Sequence, residues 1–244
     1  YADIVEWVDD VPDELRGVIV ANEVLDSMPV ERFVRRRRGV MQLRVVAADT
    51  GFGFLEAPAP EHLAQYVAVV ERNLGRQFSD GYMSEVCLAT SPWIGGMSHA
   101  LREGVAFLFD YGVTRREYFA EERSDGWLRC HFRHLAHNNP LVLPGIQDLT
   151  AWVDFSSVAV AAVAQGFEIA GYSAQAQFLM AGGLEQELKD IAALPVEQRL
   201  RLSQQVKTLT LPGEMGERFK CIALRKGAIT TPTAFSLADR THTL

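Results

Sequence analysis

Carboxylate and amide side chains cluster in one ten-residue stretch of the chain, residues 21–30. Within it, Asn22, Glu23 and Asp26 closely follow the run Gly-Val-Ile-Val at 17–20, which is typical of a strand buried in a parallel sheet. Ligands of open α/β sheets bind outside the carboxyl ends of the strands, so these side chains are candidates for chemistry. The residues alone leave an alternative open, in which Asp26 or Ser27 caps a helix and Glu23 is solvated.

A second apolar run ends in the same way. Residues 104–109 read GVAFLF, and Asp110, Tyr111 and Gly112 follow. Two buried parallel strands that each deliver a carboxylate at the carboxyl end make a site at that sheet edge more probable than either strand alone.

The segment 114–150 is rich in Arg, His, Asp, Asn and aromatic residues and has no long apolar periodicity. Cys130, His134 and His137 are zinc ligands by type, but their spacing fits no familiar zinc pattern, so we expect no metal. A serine hydrolase is excluded too, because the chain has no Gly-x-Ser-x-Gly motif. The aromatic residues of the segment indicate order.

Composition restricts the class of protein. The chain has 244 residues, 48% of them hydrophobic and 23% charged, with a net charge of −7. This describes an ordinary globular protein and argues against a surface that tracks nucleic-acid phosphates. The basic run at 35–38 is interpreted as a solvated hairpin tip. Three widely spaced cysteines favour a reducing compartment, and no apolar run is long enough to cross a bilayer.

Strands that alternate with helices predict an α/β fold with a mostly parallel sheet. We expect an inserted hairpin at 31–46, a loop at 51–60 and a frayed tail from residue 227. The predicted helices cover 61–74, 93–101, 156–165, about 184–191 and about 196–206, and the other predicted strands cover 17–21, 104–109, 167–171 and 218–224.

Ordered motifs along nearly the whole chain resemble the MidA-like family of S-adenosylmethionine-dependent methyltransferases, which includes the mitochondrial complex I assembly factor. The matching motifs are ANEVLDSMPV at 21–30, DYG at 110–112, REY at 116–118, LRCH at 128–131, HLAHNNPL at 134–141, PGIQDLT at 144–150, VDF at 153–155, QFL at 177–179 and PGEMGERFK at 212–220.

This resemblance implies a Rossmann-like class I methyltransferase fold, with S-adenosyl-L-methionine as the cofactor and arginine in a protein as the substrate. The glycine-rich cofactor loop of the family has no counterpart after Tyr1, so we expect residues 1–244 to form the C-terminal part of one methyltransferase domain. On this interpretation 31–103 is a hairpin and helical insertion, and 113–150 is a substrate-side loop region. The chain alone would then be inactive.

The resemblance also suggests roles for individual residues. Glu23 and Asp26 would grip the substrate guanidinium through charge-assisted hydrogen bonds, and His134 or His137 would accept the proton. Asn22 and Asp110 would contact the cofactor. The predicted substrate-side residues are Tyr111, Arg116, Glu117, Tyr118, Arg133, Gln147 and Asp148. For each of these the alternative is a hydrogen-bond and salt-bridge network that only holds the loop in place.

Four positions depart from the pattern of the family. Leu135 and Trp152 stand where the resemblance implies an arginine and a histidine, and the resemblance implies an aspartate at one or both of Asn138 and Asn139. These departures leave the identity of the substrate open. Methylation of a small molecule, or a non-catalytic assembly protein that keeps the fold, are the alternative functions. We expect no nucleic-acid partner, a link to respiratory complex assembly, and a cytoplasmic location, or a mitochondrial one in a eukaryote.

Overall fold

The computed structural model of the chain describes residues 4–133 and 135–244. The strands are β1 Leu15–Asn22, β2 Glu31–Arg36, β3 Gly39–Ala48, β4 Gly51–Pro58, β5 Met83–Val86, β6 Leu101–Val113, β7 Arg129–Phe132, β8 Leu135–His137, β9 Asp148–Thr150, β10 Val153–Asp154, β11 Glu168–Ala174 and β12 Phe219–Lys226. The α-helices are α1 Glu61–Leu74, α2 Thr90–Ala100, α3 Arg115–Tyr118, α4 Phe155–Ala164, α5 Gln175–Ala181, α6 Leu184–Glu187, α7 Val196–Thr210 and α8 Met215–Arg218.

The chain divides into two compact units. The first unit contains residues 4–22, 91–110 and 156–244, and the second unit contains residues 23–90 and 111–155. Strand β6 therefore begins in the first unit and ends in the second. The two units are defined by contacts between residues and not by continuous stretches of sequence. They therefore do not test the predicted boundaries at 31–103 and 113–150, which stay a prediction.

The sheet of the first unit has the strand order β1-β6-β12-β11. Strands β1 and β6 are parallel, whereas β11 and β12 are antiparallel. Gly104 on β6 is required by close approach, because a Cβ atom there would lie 1.9 Å from the carbonyl oxygen of Gly17. Val105 and Cys221 are buried in the core on this sheet.

The second unit is built on a four-stranded sheet of order β4-β3-β2-β5. Helix α1 buries the stripe Leu63, Val67 and Val70 in the same cluster as Phe33 and Tyr82. The apolar spacing of three and four residues explains this helix, since it puts these side chains on one face. A smaller antiparallel sheet of order β8-β7-β9 lies in the same unit, and β10 pairs with the end of β6 at Gly112 and Val113.

Most of the predicted elements are confirmed, including the α/β fold class, the strand at 17–21, the hairpin and the helix at 61–74. The predicted burial of that strand is wrong, because β1 lies at the end of the strand order and Val18 and Val20 are 63% and 66% exposed. The predicted loop at 51–60 is wrong, because residues 51–58 form β4 and pair with β3 along its length. Glycine and proline suggested a loop there, but this is an edge strand, where the ladder tolerates both.

The predicted frayed tail is also wrong. Phe235 is buried, and its ring packs against Gly171 of β11. The backbone N–H of Arg240 donates to the carbonyl oxygen of Tyr172 at 2.6 Å. Tertiary packing orders a segment that has no periodicity of its own.

At the tip of the β2–β3 hairpin the arginines are mostly paired with carboxylates. Arg35 contacts Glu71 at 3.2 Å, Arg36 pairs with Glu56, and the exposed Arg37 contacts Asp80 at 3.9 Å. No helix in the described ranges is both long enough and apolar enough to span a membrane.

Candidate active site

The carboxylates after β1 lie on a tight turn. We call residues 23–28 the acidic turn. Glu23 is exposed and has a φ of 52°, in the left-handed region that costs a non-glycine residue on the order of 1–3 kcal/mol. The hydroxyl of Ser27 donates to the carbonyl oxygen of Val24 at 2.9 Å, and the N–H of Met28 donates to that of Leu25 at 3.3 Å. No helix begins in this segment, so the interpretation of Asp26 or Ser27 as a helix cap is wrong.

Asp26 is the buried carboxylate of the acidic turn, with 4% of its surface exposed. Burial raises the pKa of its carboxyl above the ordinary value, and the nearby negative charge of Glu23 raises it further. Hydrogen bonds from backbone N–H groups of the turn and the charge of His131 act in the opposite direction on this pKa. The N–H of Ala151 donates to the backbone carbonyl oxygen of Asp26 at 3.0 Å and ties the turn to the segment before β10.

In the first unit, β1 and β6 bring two other predicted residues to one sheet edge. The parallel register pairs Asn22 with Phe109, so Asp110 follows the last pair by one residue. The Asn22 residue is exposed and Asp110 is fully buried. Asp110 lies within β6, which continues to Val113, so the strand does not end at this carboxylate as the sequence predicted. An exposed amide and a buried carboxylate where the pairing of β1 with β6 ends offer both donors and acceptors, which fits a polar ligand.

Aromatic residues continue from β6 into the second unit. The rings of Tyr111 and Trp152 have centroids 6.4 Å apart, and Trp152 stacks on Trp127 at 4.4 Å. Arg115 pairs with the carboxylate of Asp154 at 3.1 Å, and both side chains are largely buried. Trp152, one of the positions that departs from the family pattern, thus stabilises an aromatic stack.

Three predicted substrate-side residues lie on or near helix α3. Arg116 is exposed. The side chain of Glu117 accepts hydrogen bonds from the N–H and hydroxyl of Thr114 and caps the helix. Tyr118 is buried in the core, where desolvation raises the pKa of its hydroxyl, and its carbonyl oxygen accepts the indole N–H of Trp127 at 2.8 Å.

The remaining predicted residues of the site lie around the sheet β8-β7-β9. His137 pairs with Cys130 across the strands, and its Nδ1 accepts the N–H of Asn139 at 3.3 Å. Asp148 lies opposite His131. The two other residues at this sheet are Arg133, exposed with its guanidinium 5.3 Å from the centre of the Phe132 ring, and Gln147, whose amide donates to the carbonyl oxygen of Pro140 at 2.8 Å.

The last of the predicted residues, His134, lies outside the described residues. Among the residues that the structure does describe, no group of three or more His, Cys, Asp or Glu side chains is arranged to hold a metal ion.

A feature that the sequence did not indicate is a cavity of about 740 Å³ in the second unit, which we call the apolar cavity. Ser27 and the next five residues form one part of its lining, so it begins where the acidic turn ends. The lining residues are Ser27, Met28, Pro29, Val30, Glu31, Arg32, Gln42, Leu43, Arg44, Val45, Phe54, Leu128, Pro140, Leu141, Leu149 and Ala151. These residues come from distant parts of the sequence. The alternation of side chains along each strand was the only feature of the sequence that could have indicated which residues face the cavity.

A buried glutamate supports one wall of this cavity. Glu85 on β5 is fully buried and accepts the backbone N–H groups of Trp127 at 2.9 Å and Leu128 at 3.4 Å. Its carboxylate lies 3.4 Å from Nε of Arg32, which lines the cavity. Desolvation raises the pKa of Glu85, whereas the N–H donors and Arg32 favour its charged form.

Comparison with known proteins gives consistent matches. The sequence model of a family described as S-adenosyl-L-methionine-dependent methyltransferase matches residues 1–173. The chain is 29% identical over 229 residues to the mitochondrial protein arginine methyltransferase NDUFAF7 homolog of Drosophila melanogaster, covering 91% of the chain and 50% of that protein. It is 30% identical over 231 residues to the mitochondrial protein arginine methyltransferase NDUFAF7 of Mus musculus, covering 90% of the chain and 49% of that protein.

A crystal structure of a protein from Burkholderia thailandensis bound to S-adenosyl-homocysteine superimposes with a TM-score of 0.90 at 36% sequence identity. The match covers 100% of this chain and 62% of the other. The chain thus spans about half the length of the curated relatives it matches.

Proposed function

Because this chain belongs to the S-adenosyl-L-methionine-dependent methyltransferase family, we propose that it takes part in methylating a guanidinium nitrogen of arginine in a protein substrate. The observation that carries the proposal is the acidic turn, in which a buried carboxylate and an exposed one lie close enough for Glu23 to raise the pKa of Asp26. A cation bound by both relieves their repulsion, and arginine presents two parallel N–H donors to such a pair.

In this proposal the two carboxylates position the substrate. A guanidinium is fully protonated at neutral pH and is a poor nucleophile while its charge is delocalised. Glu23 and Asp26 accept hydrogen bonds from the N–H groups of two guanidinium nitrogens, which orients the third nitrogen and favours the positive charge on the two that donate. A methyl transfer by displacement depends chiefly on alignment, and positioning of this kind can supply about 7–11 kcal/mol of a barrier.

Asn22 and Asp110 are the residues that we propose to hold the cofactor. When bound, S-adenosylmethionine supplies a methyl group on a positively charged sulfur and leaves as S-adenosyl-homocysteine. The nitrogen of the substrate forms a bond to carbon, the carbon–sulfur bond breaks, and the nitrogen releases one proton. The neighbour from Burkholderia thailandensis is described as bound to S-adenosyl-homocysteine, which supports S-adenosylmethionine as the cofactor.

The released proton needs an acceptor, and His134 and His137 stay the proposed candidates. The Nδ1 atom of His137 accepts the N–H of Asn139, so the neutral ring carries its proton on Nε2. This hydrogen bond has to break before His137 can accept a proton. Arg116, Glu117, Tyr118, Arg133, Gln147 and Asp148 are proposed to build the loop region that covers the substrate, together with Tyr111.

The names of the relatives, protein arginine methyltransferases, support protein arginine as the substrate. The link to respiratory complex assembly rests on the family resemblance and stays a proposal. We propose a compartment that keeps thiols reduced, the cytoplasm or, in a eukaryote, the mitochondrion. The free thiols of Cys87, Cys130 and Cys221 support such a compartment.

Replacement of one carboxylate tests the proposal. In the full-length gene product, Glu23→Gln keeps the shape of the side chain and removes its charge. We expect methyl transfer to an arginine-containing protein to fall by at least about 100-fold, with S-adenosylmethionine affinity unchanged. Glu14→Gln is the matched control, since Glu14 is also exposed and also has a left-handed backbone, with a φ of 56°. Unchanged turnover in Glu23→Gln would remove Glu23 from the mechanism.

A further inference from the structure

The apolar cavity begins at the end of the acidic turn and is not needed to grip a guanidinium. Asp26 is followed directly by Ser27, the first residue of the lining. The N–H of Ala151, another lining residue, donates to the carbonyl oxygen of Asp26. At about 740 Å³ the cavity lies within the range of ligand-binding pockets and has room for several side chains. The acidic turn and the apolar cavity therefore share Ser27 and Met28.

Large apolar side chains of the lining are partly exposed to solvent. Val45 is 56% exposed, Leu149 is 45% exposed and Phe54 is 38% exposed. Val45 and Phe54 are cross-strand partners on β3 and β4, so they form one continuous surface. Contiguous exposed apolar surface of this kind marks a binding site, because an apolar ligand removes it from water.

The charged side chains that line the cavity differ in whether they already have a partner of opposite charge or a hydrogen-bond partner. Glu31 already accepts a hydrogen bond from Gln42 at 2.8 Å and contacts His62 at 3.2 Å. Arg32 is matched by the buried Glu85. Arg44, by contrast, donates to the side-chain oxygen of Gln42 at 2.7 Å, and within the described parts of the chain it has no carboxylate partner. An acidic group in the ligand would complement it.

We propose that the apolar cavity binds the segment of the protein substrate that flanks the methylated arginine, and that it selects a large apolar side chain close to an acidic one. The proposal rests on the proposed function, since the acidic turn places the arginine at the start of the cavity. Phe54, Val45 and Leu149 receive the apolar side chain, and Arg44 pairs with the acidic one.

Three fluorescein-labelled peptides of equal length test this preference. Each carries one arginine, and the residues that follow it are Leu-Glu, Gly-Glu or Leu-Lys. With the full-length gene product we expect the Leu-Glu peptide to bind about tenfold more tightly than either of the others in fluorescence anisotropy. Methylation followed by mass spectrometry should give the same order in kcat/KM.

Two variants with matched controls assign the preference to the cavity. Phe54→Ala should abolish the preference for leucine over glycine, and Phe52→Ala, on the same strand but outside the lining, should keep it. Arg44→Glu should reverse the preference for glutamate over lysine. Arg38→Glu makes the same change of charge at the exposed hairpin tip and should leave that preference intact.

The two proposals fail in different ways. Equal affinity and equal methylation of the three peptides would overturn the assignment of the cavity and leave arginine methylation standing. The same preference in Phe54→Ala and Arg44→Glu would also overturn it. Selective binding without methylation of any peptide would overturn protein-arginine methylation instead.

Discussion

Asp26 holds a carboxylate where water is largely excluded and a second carboxylate is close. Burial first, and the charge of Glu23 second, raise its pKa above the ordinary value of 3.8. The folded state therefore binds this proton more tightly than the unfolded state does. As the pH rises through 3.8 toward the raised pKa, the unfolded state loses the proton first, and the stability of the fold decreases.

Replacement of this carboxylate by an amide should therefore stabilise the protein in a pH-dependent way. Asp26→Asn keeps a side-chain oxygen for the backbone donors and cannot ionise. We expect its free energy of unfolding in urea to exceed that of the native protein at pH 7, and the difference to close as the pH falls toward 3.8. Asp10→Asn, at an exposed position, controls for the loss of one charge. A constant difference from pH 3.5 to 7 would contradict the assigned cause.

At the level of single residues, the sequence predicted which side chains follow β1 but not their environments. The order strand, then Asn22-Glu23, then Asp26, was visible in the residue types. The left-handed backbone of Glu23 was not, because glutamate has no preference for that region. The burial of Asp26 was also hidden, since the backbone of this turn is hydrogen-bonded to Ala151, which is distant in sequence.

Among the secondary-structure elements, β5 and the segment before β7 are joined by Glu85. Its carboxylate satisfies two backbone N–H groups and faces the largely buried Arg32. Removing one partner of a buried ion pair leaves the other charge uncompensated, and that costs far more than the pair contributes. Glu85 thus holds β5 and the segment before β7 together and is not assigned to the reaction.

Glu85→Ala should lower the free energy of unfolding by about 3–5 kcal/mol, whereas Glu85→Gln, which keeps an acceptor, should cost less. Urea denaturation followed by tryptophan fluorescence measures the free energy of unfolding of both variants, because the backbone N–H of Trp127 donates to Glu85. Glu168→Ala removes an exposed partner of Arg225 and should cost about 0–1 kcal/mol. Equal losses in Glu85→Ala and Glu168→Ala would show that the carboxylate does not join these elements.

Elements in which apolar residues recur with a strong period could be predicted from the sequence. Strands that are defined by their pairing with another strand could not. The spacing of Leu63, Val67 and Val70 predicts a helix, because it puts the three side chains on one helix face. The structure confirms this helix as α1. Strand β4 was missed because its glycines and prolines resemble a loop, and only β3 makes it a strand. The apolar cavity was missed for the same reason, since no local pattern records which strands become neighbours.

On the scale of the whole molecule, the catalytic and cofactor assignments fall in different units. Glu23 and Asp26 belong to the second unit, and Asn22 and Asp110 to the first. The chain passes from the first unit to the second between Asn22 and Glu23, two of the proposed site residues, and again between Asp110 and Tyr111. The sequence predicted both sheet-edge segments, but it did not indicate this division.

Cofactor affinity tests how much of the binding site these 244 residues contain. The match to the Burkholderia thailandensis protein covers 62% of that protein, so more than a third of that chain has no counterpart among these 244 residues. We expect some of the contacts to S-adenosylmethionine to come from that remaining part. By isothermal calorimetry, we expect the 244-residue chain to bind S-adenosylmethionine at least about 100-fold more weakly than the Burkholderia protein, because each lost 1.4 kcal/mol of contact weakens binding tenfold.

Asn22→Ala should weaken the residual binding further, and Asn138→Ala, in the segment between β8 and β9, should not. Equal affinity of the two proteins would instead mean that the edge formed by β1 and β6 supplies the essential contacts.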